Sequence, residues 1–137
     1  MKSDKGNIYR VVDVNINRAR EGLRVVEEIC RFCLNSPSLS KELKNLRHRI
    51  SKTVDPAMLI KYRDSESDIG RKISFDKNLK TAKISGILIA NLVRAQESVR
   101  VLEEFSKLVD PSLPGIYKAV RFELYDIEKK ILKKVKK

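Results

Sequence analysis

The chain has 137 residues, of which 42% are hydrophobic and 35% charged, and its formal net charge is +12. This length is enough for one hydrophobic core and too short for two, so we expect a single domain over residues 1–137. No apolar run approaches the roughly 20 residues of a membrane span, and the N-terminus lacks the pattern of a signal peptide, so we expect a cytoplasmic protein with no membrane partner. The two cysteines, Cys30 and Cys33, are too few for a disulfide framework, and we expect both in the core.

Half of the positive excess lies at the C-terminal end. Six lysines follow the last acidic residue, Glu128, namely Lys129, Lys130, Lys133, Lys134, Lys136 and Lys137. Such a cluster is typical of nucleic-acid binders, but no aromatic residues that stack on bases are interleaved with these lysines. We therefore favour a frayed, solvated tail and regard nucleic acid as the less favoured partner.

Glycine and proline are scarce, and they divide the chain into four predicted helices. The breaks fall at Asn35-Ser36-Pro37, at Asp55-Pro56 and between Asp110 and Gly115. The helices are predicted at about 8–34, 40–54, 76–109 and 115–134, with Ser40 as the N-cap of the second. No stretch sustains strict alternation of polar and apolar residues, so the predicted fold class is all-α.

The motif N-x-x-R-A-x-E-x-x-R-V-x-E-E occurs twice, beginning at Asn15 and at Asn91, an offset of 76. Farther along, the Pro-Ser-Leu sequence at 37–39 recurs at 111–113. A long helix, a proline-containing turn and a shorter helix are therefore repeated, at about 8–54 and about 76–134, with a connecting loop at about 55–75. We predict two helical hairpins packed about a pseudo-twofold axis, with the first and third helices facing each other.

Some polar residues of the motif are predicted to point inward. At about 100° per residue, Asn15 and Arg18 fall inside the apolar sector of the first helix, and Glu21 lies at its edge. Two interpretations stay open. In the first, Arg18 pairs with Glu21, or with Glu97 across the interface, and the pair only fixes helix register. In the second, the arginines bind phosphate and the carboxylates hold magnesium.

The counterparts in the second repeat follow the same pattern. Asn91 and Arg94 fall among the apolar residues of the third helix, with Glu97 at the edge. Arg47 and Arg121 lie towards the apolar faces of the second and fourth helices. An inward guanidinium group needs acceptors, because an unpaired charge in a core is costly.

The connection between the repeats is dense in both charges. Arg63, Asp64, Asp68 and the turn-forming Gly70 lie within "KYRDSESDIGRK", which begins at Lys61. A calcium loop of the EF-hand type is excluded, because Ile69 stands where that loop requires glycine. The connection is either a solvated linker or a lid that carries ligands for magnesium and phosphate.

Four segments in order, "YRVVDVNINRAREGLRVVEEICRF", "LKNLRHRI", "YRDSESDIG" and "NLVRAQESVRVLEE", make the chain similar to a known family. Over nearly its whole length it resembles the small helical hydroxymethylpyrimidine phosphate kinases, which are found alone or fused ahead of thiamine phosphate synthase. The resemblance implies phosphorylation of 4-amino-5-hydroxymethyl-2-methylpyrimidine phosphate to the diphosphate, with ATP and magnesium, in thiamine biosynthesis. Because no β/α barrel follows before Lys137, we do not expect synthase activity in this chain.

The residue patterns give the following assignments. Catalytic roles are assigned to Arg18, Glu21, Arg63 and Asp68, and magnesium to Asp64 and Asp68. The substrate-binding assignments are Asn15, Asn91, Arg94, Glu97, Arg47 and Arg121. Either asparagine suits an aminopyrimidine edge, because an amide both donates and accepts hydrogen bonds.

Two other functions remain open. One is a non-catalytic domain that binds the pyrimidine phosphate for a separate thiamine phosphate synthase. The other, less favoured, is a basic helical nucleic-acid binder, for which affinity should fall steeply with salt. A functional partnership with the synthase and a homodimer are also left open.

Overall fold

The computed structural model describes residues 4–72 and 83–136, and over these ranges the chain forms helices and no strand. The α-helices are α1 (Lys5–Phe32), α2 (Pro37–Ser51), α3 (Pro56–Tyr62), α4 (Ile84–Phe105) and α5 (Leu113–Val135). Short 3-10 helices cover Ile69–Lys72 and Ser106–Leu108. The all-α prediction is confirmed, while residues 76–82 of the predicted third helix lie outside the described residues.

Two helices begin at a capping side chain followed by proline, and both starts differ from the prediction. Ser36 caps α2, because its Oγ accepts the backbone N–H of Leu39 at 3.4 Å, so Ser40 is not the N-cap. Asp55 caps α3 in the same way, with its Oδ1 accepting the N–H of Ala57 at 3.0 Å. The predicted connecting loop therefore contains a helix, because Asp55-Pro56 starts a helix as well as ending one.

The long helices of the two repeats pack against each other, as predicted. One face of α1 is buried throughout and consists of Val12, Ile16, Ala19, Leu23, Val26 and Cys30. Gly22 allows α1 to approach α4 closely, since a Cβ at that position would lie 3.0 Å from the carbonyl oxygen of Asn91. α2 contacts α1, and α5 contacts α4, so each repeat forms a helical hairpin. The rotation that relates the hairpins stays a prediction.

The repeated Glu-Glu pair of the motif supplies one buried carboxylate in each repeat. Glu27 of α1 accepts a hydrogen bond from Arg47 Nε of α2 at 3.1 Å, and Glu103 of α4 accepts one from Arg121 Nε of α5 at 2.9 Å. All four side chains are at most 15% exposed. Each ion pair fastens the two helices of a hairpin together, so Arg47 and Arg121 have a structural partner that the sequence analysis did not identify.

The charge balance around Glu103 favours its ionised form. Burial alone would raise its pKa, but the hydrogen bond and charge of Arg121, together with Arg100, outweigh burial. Arg100 Nη1 lies 3.1 Å from Glu103 Oε1. The net pKa of Glu103 is therefore lowered, which makes this ion pair sensitive to acid.

The C-terminal lysines belong to a packed helix, so the prediction of a frayed tail is wrong for residues up to 135. α5 continues to Val135, and Ile131 within this stretch is fully buried. Lys130 Nζ lies 2.9 Å from Glu42 Oε1, and Lys134 Nζ donates to Ser36 Oγ at 3.3 Å. The helix continues there because this part of α5 packs against the first hairpin at α2. None of the described helices combines the length and apolar character needed to cross a bilayer.

The two cysteines differ in environment. Cys30 is buried in the core, and desolvation raises the pKa of its thiol to about 11, with the charge of Lys134 acting in the opposite direction. Cys33 is exposed, so the prediction that both lie in the core is wrong for this residue. The reason is that α1 ends at Phe32, and Cys33 then lies at the C-cap beyond the packed face.

Candidate functional site

A cavity of about 660 Å³ lies between the first half of α1 and the segment that follows α3. Its volume falls within the range of about 300–1,000 Å³ that is typical of small-molecule sites. Its lining carries both charges, with the arginines Arg10, Arg18 and Arg63 and the carboxylates Asp13, Glu21, Asp64 and Asp68. We call it the α1 cavity.

The wall of the α1 cavity is held in place by an ion pair between Arg63 and Asp13. Arg63 Nε donates to Asp13 Oδ2 at 2.7 Å, and Arg63 Nη2 donates to Asp13 Oδ1 at 2.6 Å. The carboxylate of Asp13 is only 5% exposed, whereas the side chain of Arg63 is 40% exposed. The hydrogen bonds that Arg63 donates to Asp13 raise the pKa of Arg63. This two-point contact fixes the segment after α3 against α1.

A second contact supports the same wall. The rings of Tyr9 on α1 and Tyr62 at the end of α3 stack with their centroids 5.3 Å apart. Arg10 Nη2 also reaches the carbonyl oxygen of Asp64 at 3.4 Å. Arg63 and Asp64, at the start of the connection, are therefore held against α1, while the ligand-carrying role of the lid alternative stays a prediction.

The two carboxylates assigned to magnesium shape turns in this wall. Asp64 Oδ1 accepts the backbone N–H of Ser67 at 3.1 Å, and Asp68 Oδ1 accepts that of Gly70 at 2.8 Å. Among the residues that the structure describes, no three His, Cys, Asp or Glu side chains are grouped to hold a metal ion. A magnesium ion that arrives with a nucleotide needs only one or two protein carboxylates, because phosphate and water supply the other ligands.

The α1 cavity brings together five residues that the sequence analysis had assigned on separate grounds. Arg18 and Glu21 come from α1, and Arg63, Asp64 and Asp68 come from the segment after α3. Over the ranges 4–72 and 83–136, neither Arg18 nor Glu21 takes part in an ion pair, so the interpretation in which Arg18 only fixes helix register has no ion pair to support it, and the ligand-site interpretation stays a prediction. Both side chains face the cavity or solvent.

The prediction that Arg18 and Arg94 point into the core is wrong, since both are exposed. The buried face of α1 is narrower than the predicted apolar sector, which included residues such as Val25 and Phe32. Phe32 is in fact 61% exposed. The buried face of α1, from Val12 to Cys30, is centred more than about 100° from Arg18 on the helix, so Arg18 lies at the rim.

The second repeat does not reproduce the site. Asn91 is half-buried, Arg94 and Glu97 are exposed on α4, and none of the three lines the α1 cavity. At the offset of 76, Arg10, Asp13 and Asn17 of the cavity correspond to Gly86, Ile89 and Val93. This face of α4 is therefore largely apolar where the face of α1 is charged, and Ile89 and Val93 are 51% and 41% exposed.

The repeated asparagines bond within their own helices. Asn15 Nδ2 donates to the carbonyl oxygen of Val11, and Asn91 Nδ2 donates to that of Ile87, each at 2.8 Å. Asn15 is buried and does not line the α1 cavity. Each amide thus uses one of its two N–H donors in the same local contact, and the assignment of either asparagine to the substrate stays a prediction.

Asp13 and Arg10 are the site residues that sequence reasoning missed. Asp13 lies in the apolar stretch "YRVVDVNI", and a carboxylate among such residues needs a partner. That local signal was present. Its partner, Arg63, lies 50 residues away, and no spacing rule connects the two.

Comparison with known proteins gives a family for residues 10–130, which match the model of the ThiD2 family. The thiamine-phosphate synthase of Nostoc punctiforme is 39% identical over 125 residues, which are 91% of this chain and 35% of that protein. The thiamine-phosphate synthase of Synechocystis sp. is 38% identical over 125 residues, covering 91% of this chain and 36% of the relative. The chain thus spans about a third of the length of these relatives. No solved structure matches it.

Proposed function

We propose that this chain, which belongs to the ThiD2 family, phosphorylates 4-amino-5-hydroxymethyl-2-methylpyrimidine phosphate to the diphosphate with ATP, as a step of thiamine biosynthesis. The observation that carries the proposal is the α1 cavity, in which three arginines and four carboxylates surround a space of small-molecule size. Relatives named thiamine-phosphate synthase support the pathway.

The chemistry of this reaction suits such a lining. The acceptor is a phosphate monoester, whose second pKa is about 6, so its oxygen is already ionised at neutral pH. That oxygen attacks the terminal phosphorus of ATP, the bond between this phosphorus and the bridging oxygen breaks, and ADP leaves. No nucleophilic side chain or strong base is required, and catalysis depends on positioning and charge neutralisation.

The arginines of the α1 cavity divide between two tasks. Two nitrogens of Arg63 are engaged by Asp13, so this residue first of all positions the wall of the cavity. Arg18 is exposed and has no ion-pair partner in the described ranges, so its guanidinium group is available for a phosphate. We assign Arg18 to the phosphoryl groups and Glu21 beside it to the magnesium that accompanies them.

Magnesium fits the carboxylates on the opposite wall. Asp64 and Asp68 each use one oxygen, Oδ1, to accept a backbone N–H, and these bonds fix the orientation of both carboxylates. Both residues line the cavity. When bound, magnesium would neutralise charge on the nucleotide phosphates.

The test is a coupled assay of ADP release with and without the pyrimidine phosphate. Arg18→Gln is compared with Arg94→Gln, which changes the same motif position in the other repeat, outside the α1 cavity. Because both arginines are exposed, neither change should alter the melting temperature much. We expect about a 100-fold loss of rate for Arg18→Gln, the order found for removal of one transition-state donor, and little change for Arg94→Gln.

A second function is favoured by the lengths of the relatives. Since the matched region is about a third of proteins named thiamine-phosphate synthase, the domain is also suited to hold the pyrimidine phosphate for a synthase without reacting on it. In that case the protein binds the pyrimidine phosphate but releases no ADP. Absence of turnover with tight binding of the pyrimidine phosphate would refute the kinase proposal and leave the binding role.

A further inference from the structure

The α1 cavity continues along α1 beyond Glu21. A second cavity borders it and shares Asn17 and Glu21 as lining residues. A third cavity, of about 760 Å³, shares Arg24 with the second and reaches the first turns of α2. Neighbouring cavities thus follow one another along the helix, and we call the second and third together the basic groove.

Charge changes sign along this path. The α1 cavity has three arginines and four carboxylates, whereas the basic groove has six cationic side chains and two carboxylates, Glu21 and Glu27. Its cationic side chains are Arg20, Arg24, Arg31, Lys41, Lys44 and Arg47. An excess of positive charge in a concave surface attracts a polyanion.

Two of the six cations of the basic groove are paired with carboxylates, and the other four, Arg20 among them, have no carboxylate partner in the described residues. Arg47 is held by the buried Glu27, and Arg24 Nε lies 3.0 Å from Glu28 Oε1. Over residues 4–72 and 83–136, Arg31, Lys41 and Lys44 have no carboxylate partner. These three side chains converge on the third cavity and are available for an anionic ligand.

We infer that the basic groove binds the polyphosphate of the nucleotide that donates the phosphoryl group, with Lys41, Lys44 and Arg31 as its ligands. This inference rests on the proposed function, because it places the donor next to the acceptor in the α1 cavity. From Arg18 to Arg31 the helix rises about 20 Å, which is long enough for a nucleotide whose terminal phosphate lies at the Arg18 end and whose other phosphates extend past Arg24 towards Lys44, Lys41 and Arg31. The groove thereby replaces a glycine-rich phosphate loop, which the sequence lacks.

The internal repeat offers a matched control for this site. Lys44 corresponds to Lys118 in the second repeat, at the offset of 74 that follows the proline turn. Both lysines are exposed on the shorter helix of their hairpin, but Lys118 does not line the basic groove. Lys44→Glu and Lys118→Glu change the net charge equally, so a difference in affinity between the two variants is due to the position of the charge.

The experiment measures binding of magnesium-ATP and of inorganic tripolyphosphate by calorimetry at fixed ionic strength, and binding of the pyrimidine phosphate separately. We expect Lys44→Glu to weaken both polyphosphates about tenfold, the loss of one charge-assisted contact, with Lys118→Glu close to wild type. Affinity for the pyrimidine phosphate should stay within about twofold in both variants, because Lys44 lies outside the α1 cavity. Melting curves check that both variants are folded.

The outcomes separate this inference from the kinase proposal. If wild-type protein turns over ATP and Lys44→Glu binds it as tightly as wild type, the kinase proposal stands and the inference is overturned. Equal losses in the two variants, or no binding of either polyphosphate by wild type, also overturn it. If tripolyphosphate binding depends on Lys44 but no ADP is formed, the groove is a polyphosphate site and the kinase proposal fails.

Discussion

Replacing Arg63 by alanine tests whether the wall of the α1 cavity depends on its ion pair. The change leaves the carboxylate of Asp13, which is 5% exposed, without the two hydrogen bonds at 2.6 and 2.7 Å. Breaking a fully buried ion pair costs about 3–5 kcal/mol. Because the Arg63 side chain is 40% exposed, water screens the pair and compensates part of the loss. We therefore expect a destabilisation of about 2 kcal/mol.

For a domain of this length, that loss corresponds to a fall in melting temperature of about 6–8 °C. Thermal unfolding followed by circular dichroism measures it. Arg71→Ala is the control, because Arg71 is an exposed arginine in the 3-10 helix of the same connection and has no ion-pair partner in the described ranges. The double variant Asp13→Asn with Arg63→Ala removes the buried charge too and should recover part of the stability.

A melting temperature of Arg63→Ala within about 1 °C of that of Arg71→Ala would refute the expected loss, because a broken buried pair would cause a larger difference. The same melting experiment decides how a loss of kinase rate in Arg63→Ala is interpreted. A loss of rate in Arg63→Ala would reflect a displaced wall as well as a lost charge, because the guanidinium group already has a partner in Asp13. Arg18, which carries no such pair in the described ranges, gives the cleaner test of catalysis.

Three further outcomes are expected. The lowered pKa of Glu103 means that its contribution to stability is complete above its ordinary value of 4.5 and is lost as pH falls through the lower folded value. Melting temperatures measured between pH 2.5 and 6 should therefore fall less steeply for Glu103→Gln than for wild type on the acid side of about pH 4. Ellman's reagent should titrate one thiol in the native protein, exposed Cys33, and both thiols in denaturant; rapid native reaction of buried Cys30 would contradict its burial. Urea unfolding should show a loss of about 2–5 kcal/mol for Leu124→Ala, which is fully buried, and under about 1 kcal/mol for Phe122→Ala, which is 51% exposed; similar losses would contradict the packing of α5.

The helices and most of the core could be predicted because their signals are local. Apolar residues that recur every three or four positions identify one face, and that face is buried whatever lies opposite it. α3 was not predicted because it has only seven residues and one buried side chain, Leu59. A single buried residue gives no repeating apolar pattern in the sequence. The start signal of α3, Asp55-Pro56, is the same kind of signal as Ser36-Pro37, but a proline after Asp or Ser indicates the end of one helix as well as the start of the next.

The candidate site could be predicted only in part, since its parts come from different places in the chain. The charge density of the connection and of the motif identified Arg18, Glu21, Arg63, Asp64 and Asp68, which line one cavity. Their arrangement could not be deduced, because α3 determines where the connection returns to α1. The orientation of Arg18 was missed for another reason: exposed apolar residues near the end of α1 widened the apparent apolar sector.

The two repeats separate what the motif does for the fold from what it does in the site. The ion pairs Glu27–Arg47 and Glu103–Arg121 have nearly the same Nε–Oε2 distance, 3.1 and 2.9 Å, in both hairpins. Because this ion pair occurs in both hairpins, its role is one that both hairpins need, which is to join the long helix to the shorter one. Arg18 differs from Arg94 in its surroundings, because in the described residues only the first repeat has a charged neighbouring face and a docked connection beside the motif. The chemistry proposed for Arg18 therefore depends on the segment that lines the same cavity, and a second copy of the motif does not by itself make a second site.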